Sequence, residues 1–180
     1  CLGKQLGFFV AHLEEEIVRG TDALAAHGLA LFNFKGRCAL CHPSHAGPNG
    51  EPPLFTDFSY ANLGIPKNPL NPFYKAPKRT NPARTAWIDP GLAKFLADAG
   101  YPESVWASEV GKHKVPTLRN VDKRPAPDFV RAYGHNGFFK SLEEITRFYN
   151  TRDVASWPRP EVPLNMNTTD LGNLGLSAQE

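Results

Sequence analysis

The chain has 180 residues and a formal net charge of +2, which bounds it to one domain of ordinary size, or one with a small extension, able to build a real core. No long basic run supplies an electrostatic reason to bind nucleic acid. No apolar stretch approaches the length of a membrane span.

Residues 1–20 form an N-terminal extension before the first clear element. Its apolar run FFVAHL is brief and leads straight into Glu14, Glu15 and Glu16, so it does not read as a secretory signal. From Thr21 the segment TDALAAHGLALFNF offers an N-cap at Thr21 or Asp22 and then Leu24, Leu29, Leu31 and Phe32 at near-helical spacing. This predicts a helix ending at Lys35 and Gly36, where glycine suits a helix stop.

The helix leads into Cys38-Ala39-Leu40-Cys41-His42, which is C-x-x-C-H, the spacing for covalent attachment of a c-type haem. Two thiols three residues apart can reach the two vinyl groups along one porphyrin edge, and the next side chain turns an imidazole under the iron. Cys38 and Cys41 are therefore the expected thioether anchors of one covalent haem, and His42 its proximal ligand. Structural zinc would need four ligands, for which Cys1, Cys38, Cys41 and His42 or His45 form a candidate set. A redox dithiol would open a helix after a strand in a βαβ unit, whereas a helix precedes this motif.

Haem is attached to C-x-x-C-H outside the cytoplasm in bacteria, so the expectation is a mature, exported chain: periplasmic or extracytoplasmic, its signal removed. Cys1 then has two readings, a lipid-bearing N-terminus that anchors the chain to a membrane, or simply the residue at which the sequence starts.

Residues 43–90 contain ten prolines, too closely spaced for a long helix. Leu54, Phe55, Phe58, Tyr60, Leu63, Ile65, Phe73 and Tyr74 argue against a disordered linker; the expectation is an extended wrapping around the porphyrin. A punctuated helix follows, with Asp89 as N-cap, Pro90 at the first position, Leu92, Phe95 and Leu96 as the buried stripe and Gly100 beyond the end. A second short helix starts at Pro102. After the loop Val115-Pro116-Thr117-Leu118-Arg119-Asn120, Ser141 and Glu144 form a capping box, opening a helix with Leu142, Ile145 and Tyr149 on one face. The fold class is mainly α: a cytochrome c-like haem domain over residues 21–180 with long Pro-rich irregular segments and little β.

What stands opposite His42 decides between electron transfer and chemistry. Candidates are Met166, the sole methionine, Tyr149, and His12, His27, His45, His113 or His135. Met166 lies well downstream, as in His/Met cytochromes, yet methionine is also a common gap-filler. Tyr149 faces inward, where a phenol needs a partner; as a ligand it would favour ferric iron and a lower potential. His135 suits an acid–base role better than iron binding. Arg119 matches a haem propionate geometrically, or braces its loop. Trp87, Trp106 and Trp157 are candidates for an electron path, with core packing as the plainer reading.

The segments ALFNFKGRCALCH, PPLFTDFSYANLGIPKN, VPTLRNVDKRP, YGHNGFFKSLEEITRFYN and LGNLGLS, in that order, resemble the C-terminal haem domain of the bacterial di-haem cytochrome c peroxidase and MauG-type superfamily over residues 24 to 178. The resemblance implies an electron-entry haem here, with peroxide reduced at a second haem in another domain. It implies an axial ligand near the end of the helix following H-x-G, methionine in peroxidases and tyrosine in MauG-type enzymes; that position is Tyr149. No second C-x-x-C-H occurs, so the chain is a piece of a larger protein or a monohaem derivative. The expected function is single-electron transfer to a redox protein partner or a second haem domain. Two rivals are a peroxidase-like oxidoreductase with an open or displaceable iron site served by His135 or a glutamate, and a haem-bearing subunit of a larger respiratory or photosynthetic complex.

Overall fold

The computed structural model describes residues 23–123, 129 and 131–180. The N-cap expected at Thr21 or Asp22, the extension at 1–20, Cys1 and His12 lie outside the described residues. Helix α1 spans Ala23–Asn33 and buries Ala25, Gly28, Leu31 and Phe32. It continues as a turn to Gly36, whose amide bonds the Leu31 carbonyl at 2.7 Å. A Cβ on Gly36 would meet that oxygen at 2.8 Å, so the helix stop depends on the missing side chain.

The proline-rich segment is irregular, as its spacing requires. It contains strand β1, Tyr60–Ala61, and two 3-10 turns, Pro72–Lys75 and Arg84–Ala86. β1 pairs antiparallel with β2, His113–Lys114, placing Tyr60 opposite Lys114 and Ala61 opposite His113.

Helix α2 covers Leu92–Asp98, two residues later than Asp89 and Pro90 predict. The Asp89 carboxylate accepts the Gly91 amide at 2.9 Å, and Gly91 itself caps the helix at φ 60°. A Cβ on Gly91 would overlap the Lys112 carbonyl, and the Leu92 amide bonds that same carbonyl at 2.8 Å. Close approach to the Lys112 backbone, just before β2, thus delays the helix. The expected stripe is also corrected: α2 buries Ala93, Leu92 and Leu96 are half-buried, and Phe95 is 67% exposed. Helix α3, Glu103–Trp106, starts behind Pro102.

Helix α4, Leu142–Thr151, opens as predicted: the Ser141 hydroxyl accepts the Glu144 amide at 3.0 Å. The reciprocal contact shifts by one residue, since the Glu144 carboxylate accepts the Lys140 amide at 2.8 Å.

The regular structure is mostly helical with very little sheet, around which long irregular segments run. The buried side chains form two apolar clusters. Leu31, Phe32 and Phe55 make the first, with Cys38, Leu118 and Leu176 against it. Ile65, Phe139 and Phe148 make the second, with Leu63, Ile145, Tyr149, Trp157 and Leu171 against it. Domains of this size usually share one contiguous core. Here Cys38 edges one cluster and Tyr149 the other.

Candidate haem site

Arg37 in left-handed conformation, φ 56°, turns the chain out of α1 into the 3-10 turn Cys38–Leu40. The Cys41 and His42 amides both bond the Cys38 carbonyl, at 3.2 and 2.9 Å. One tight turn therefore gathers Cys38, Cys41 and His42. The Arg37 guanidinium holds the turn against the Thr169 carbonyl at 2.7 Å and the Asp170 carboxylate at 3.2 Å.

Both thiols are free. Burial pushes the Cys38 thiol up to about 12 and raises Cys41 as well, with Asp57 and Asp170 adding to the effect. Burial disfavours the thiolate form of both groups. Among the described residues no three His, Cys, Asp or Glu side chains converge as a metal site.

His42 is half-buried and its Nδ1 lies 2.7 Å from the Phe55 carbonyl. Nδ1–H donates there, which leaves the Nε2 lone pair as the ligating atom. Burial lowers the affinity of the ring for a proton, against the opposing pull of that carbonyl, Asp57 and Pro116.

Sequence reasoning missed the group that orients His42. Phe55 adopts φ 52°, a conformation that costs about 1 kcal/mol or more for a non-glycine residue. Its neighbours are over-determined: Arg119 Nε donates to the Pro53 carbonyl at 3.1 Å, Thr117 Oγ1 to Leu54 at 2.6 Å, and Thr56 Oγ1 to Val115 at 2.7 Å. The polar residues of V-P-T-L-R, spaced two apart, were the available signal. Arg119 is thus seen bracing this loop.

Tyr149 is half-buried and packs against the second cluster. Burial raises its phenol well above the ordinary value, and the Cys38 and Cys41 thiols raise it further. The donor set suits a covalently held haem: two unpaired thiols and an imidazole with a free Nε2 gathered by one turn, with a phenol in the neighbouring cluster.

Met166 is placed differently. It pairs with Asn62 in an isolated parallel bridge and its thioether end packs on Gly64.

His135 Nε2 bonds the Glu161 carboxylate at 2.9 Å, and its ring stacks on His113 with centroids 3.9 Å apart. No interaction described joins this group to Cys38, Cys41, His42 or Tyr149. His27 is exposed and His45 exposed. Trp157 packs edge-on against Phe139 and Phe148, and Trp87 against Phe73; the Trp106 side chain is half-buried.

No family model matches the chain. Among curated proteins it is 34% identical over 163 residues to cytochrome-c peroxidase IdrP1 of Pseudomonas sp. (strain SCT), covering 88% of this chain and 37% of that protein. It is 28% identical over 172 residues to methylamine utilization protein MauG of Paracoccus denitrificans, covering 87% and 40%. Among solved structures, diheme peroxidase BthA of Burkholderia thailandensis superposes with a TM-score of 0.62 at 25% identity, covering 92% of this chain and 38% of BthA. The chain therefore spans about two fifths of the length of these relatives. The ordered motifs, the turn that gathers Cys38, Cys41 and His42, and these likenesses lead to one assignment: the chain belongs to the di-haem cytochrome c peroxidase and MauG-type superfamily of haem-containing, peroxidase-like proteins.

Proposed function

We propose that this chain is a covalent haem c electron-transfer unit that exchanges single electrons with a redox protein partner or a second haem domain, in the periplasm or another extracytoplasmic compartment. Cys38 and Cys41 bind one haem through thioethers, His42 supplies the proximal imidazole through Nε2, and Tyr149 stands opposite. The observation that carries the reading is the single tight turn that gathers Cys38, Cys41 and His42, with the Phe55 carbonyl fixing the tautomer of His42.

The haem supplies the one-electron chemistry when bound. The chain does the rest. Phe55 orients the imidazole, and its carbonyl raises the basicity of the ligating nitrogen. The apolar residues of the two clusters exclude water. A phenolate opposite His42 stabilises the ferric state, placing the site at low potential relative to a methionine-ligated one. No described helix is long and apolar enough to cross a membrane; a lipid on Cys1 or docking to a membrane complex are the routes to a membrane surface.

Acid–acetone extraction with intact-mass measurement tests attachment: the pigment stays with the chain and the mass rises by one haem. Complete loss of colour would end the proposal. For the far ligand, Tyr149→Phe changes the ferric spectrum and Met166→Leu leaves it unaltered.

A further inference from the structure

The one methionine is seated in a socket built for it. Gly64 adopts φ +69°, and a Cβ there would lie 2.5 Å from Met166 Cε and 3.2 Å from Sδ. The thioether end thus occupies the space of a side chain that Gly64 lacks. The backbone on both sides is fixed: the Asn167 amide donates to the Asn62 carbonyl at 2.8 Å, and the Asn62 carboxamide donates to Val162 and Leu164 at 3.0 and 2.7 Å.

One buried guanidinium closes the socket. Arg152 is 8% exposed and lies three residues after Tyr149. Its Nη1 donates to the Leu63 carbonyl at 3.0 Å and the Asn167 carbonyl at 2.8 Å, and its Nη2 to Leu171 at 3.4 Å. Asp153 takes Nε and Nη2 at 2.7 and 2.8 Å, which balances the charge. Leu63 adjoins Gly64 and Asn167 adjoins Met166, while Leu63 and Leu171 both pack in the cluster with Tyr149. The aliphatic stem of Arg152 completes the wall, 3.5 Å from the Gly64 Cβ position.

We propose that Arg152 is a positioning residue that selects the side chain opposite His42: by clamping Leu63, Asn167 and Leu171 it keeps Met166 seated on Gly64, so that Tyr149 alone is presented to the haem. This rests on the haem reading above. Thioether sulfur is a soft ligand suited to reduced iron, and phenolate a hard one suited to oxidised iron. Releasing Met166 therefore lets it compete with Tyr149 for the ferric iron as well, and because the thioether favours the ferrous state the midpoint potential rises.

The test uses the haem-loaded protein. Arg152→Gln is expected to gain a thioether-to-iron absorption band absent from the parent, with a raised potential; both disappear in Arg152→Gln with Met166→Leu, and Arg152→Lys restores part of the parental spectrum. A parent that already shows the band, or an Arg152→Gln protein with parental spectrum and potential, overturns the proposal. Should Arg152→Gln not fold, Gly64→Ala drives the thioether off its seat directly, and absence of the band there counts equally against it. Failure of the underlying reading looks different, because Tyr149→Phe would then leave the ferric spectrum unchanged.

Discussion

The imidazoles of His113 and His135 lie face to face, 3.9 Å between centroids and 7° from parallel. Glu161 holds His135 at 2.9 Å and also accepts Asn136 Nδ2 at 2.7 Å and the Asp89 amide at 3.2 Å. Despite its burial, those bonds keep the Glu161 carboxyl below its usual range, and the nearby Tyr74 phenol is raised by burial and by Glu161. His113 is held below the ordinary histidine value first by burial and then by His135, with Asp89 and Glu161 pulling the other way. The unfolded chain accepts this proton more readily than the folded one. Stability from His113 is therefore complete above the unfolded value near 6.5 and is lost as pH falls through the lower folded value. Urea midpoints from pH 8 to 5 should fall more steeply in the parent than in His113→Phe, which keeps a stacking ring without a titrating nitrogen. Parallel curves would rule this out.

Asn150 joins the two apolar clusters. Its Nδ2 donates to the Leu176 carbonyl at 3.0 Å and its Oδ1 accepts the Leu176 amide at 3.0 Å, while Leu176 packs on the first cluster and α4 carries the second. Asn150→Ala breaks both bonds and should cost about 2 kcal/mol, near 1 kcal/mol for each hydrogen bond lost. Asn150→Asp keeps the acceptor but sets a buried carboxylate oxygen against the Leu176 carbonyl and should cost more than the alanine variant. Chemical denaturation of the two variants checks the order.

Thr117 and Arg119 hold the backbone on which His42 leans. Thr117→Val removes the bond to Leu54 and leaves that carbonyl without its hydroxyl donor, an expected loss of about 1 kcal/mol. Amide exchange should quicken at Asp57, whose amide bonds the Cys41 carbonyl at 3.0 Å. Exchange unchanged there would show that the Phe55 conformation does not depend on this brace.

The residues that the sequence revealed are those whose chemistry is local. C-x-x-C-H needs only one turn of chain, and the Ser141 box closes within four residues, so spacing alone located both. Phe95 misled because helical periodicity shows that a face exists but not which neighbour covers it, and the tight approach of Gly91 to Lys112 turned α2 so that Ala93 is buried. The roles of Phe55, Gly64 and Arg152 were invisible for a related reason. Phe55 and Arg152 act through backbone carbonyls, which have no letter in the sequence, and Gly64 through the space of a side chain it lacks, filled by Met166 from a distant segment.

Phe139 and Phe148 are fully buried, with ring centroids 5.0 Å apart, and Trp157 closes on both at 6.2 and 5.2 Å. Trp157 is itself fixed by Nε1 donating to Thr151 Oγ1 at 3.1 Å. Truncating Phe148 to alanine should cost about 3 to 5 kcal/mol, as for other buried aromatic residues. Phe148→Leu retains most of the apolar area and should cost less than half of that. Because Tyr149 stands next to Phe148 in α4, with its ring 6.0 Å away, the alanine variant should also shift the ferric spectrum, whereas Trp157→Phe should lower stability by about 1 kcal/mol, the value of one lost hydrogen bond, and leave the spectrum as it is. A spectrum that moved equally in both would mean that the cluster as a whole, rather than the Phe148 contact, sets the position of the phenol.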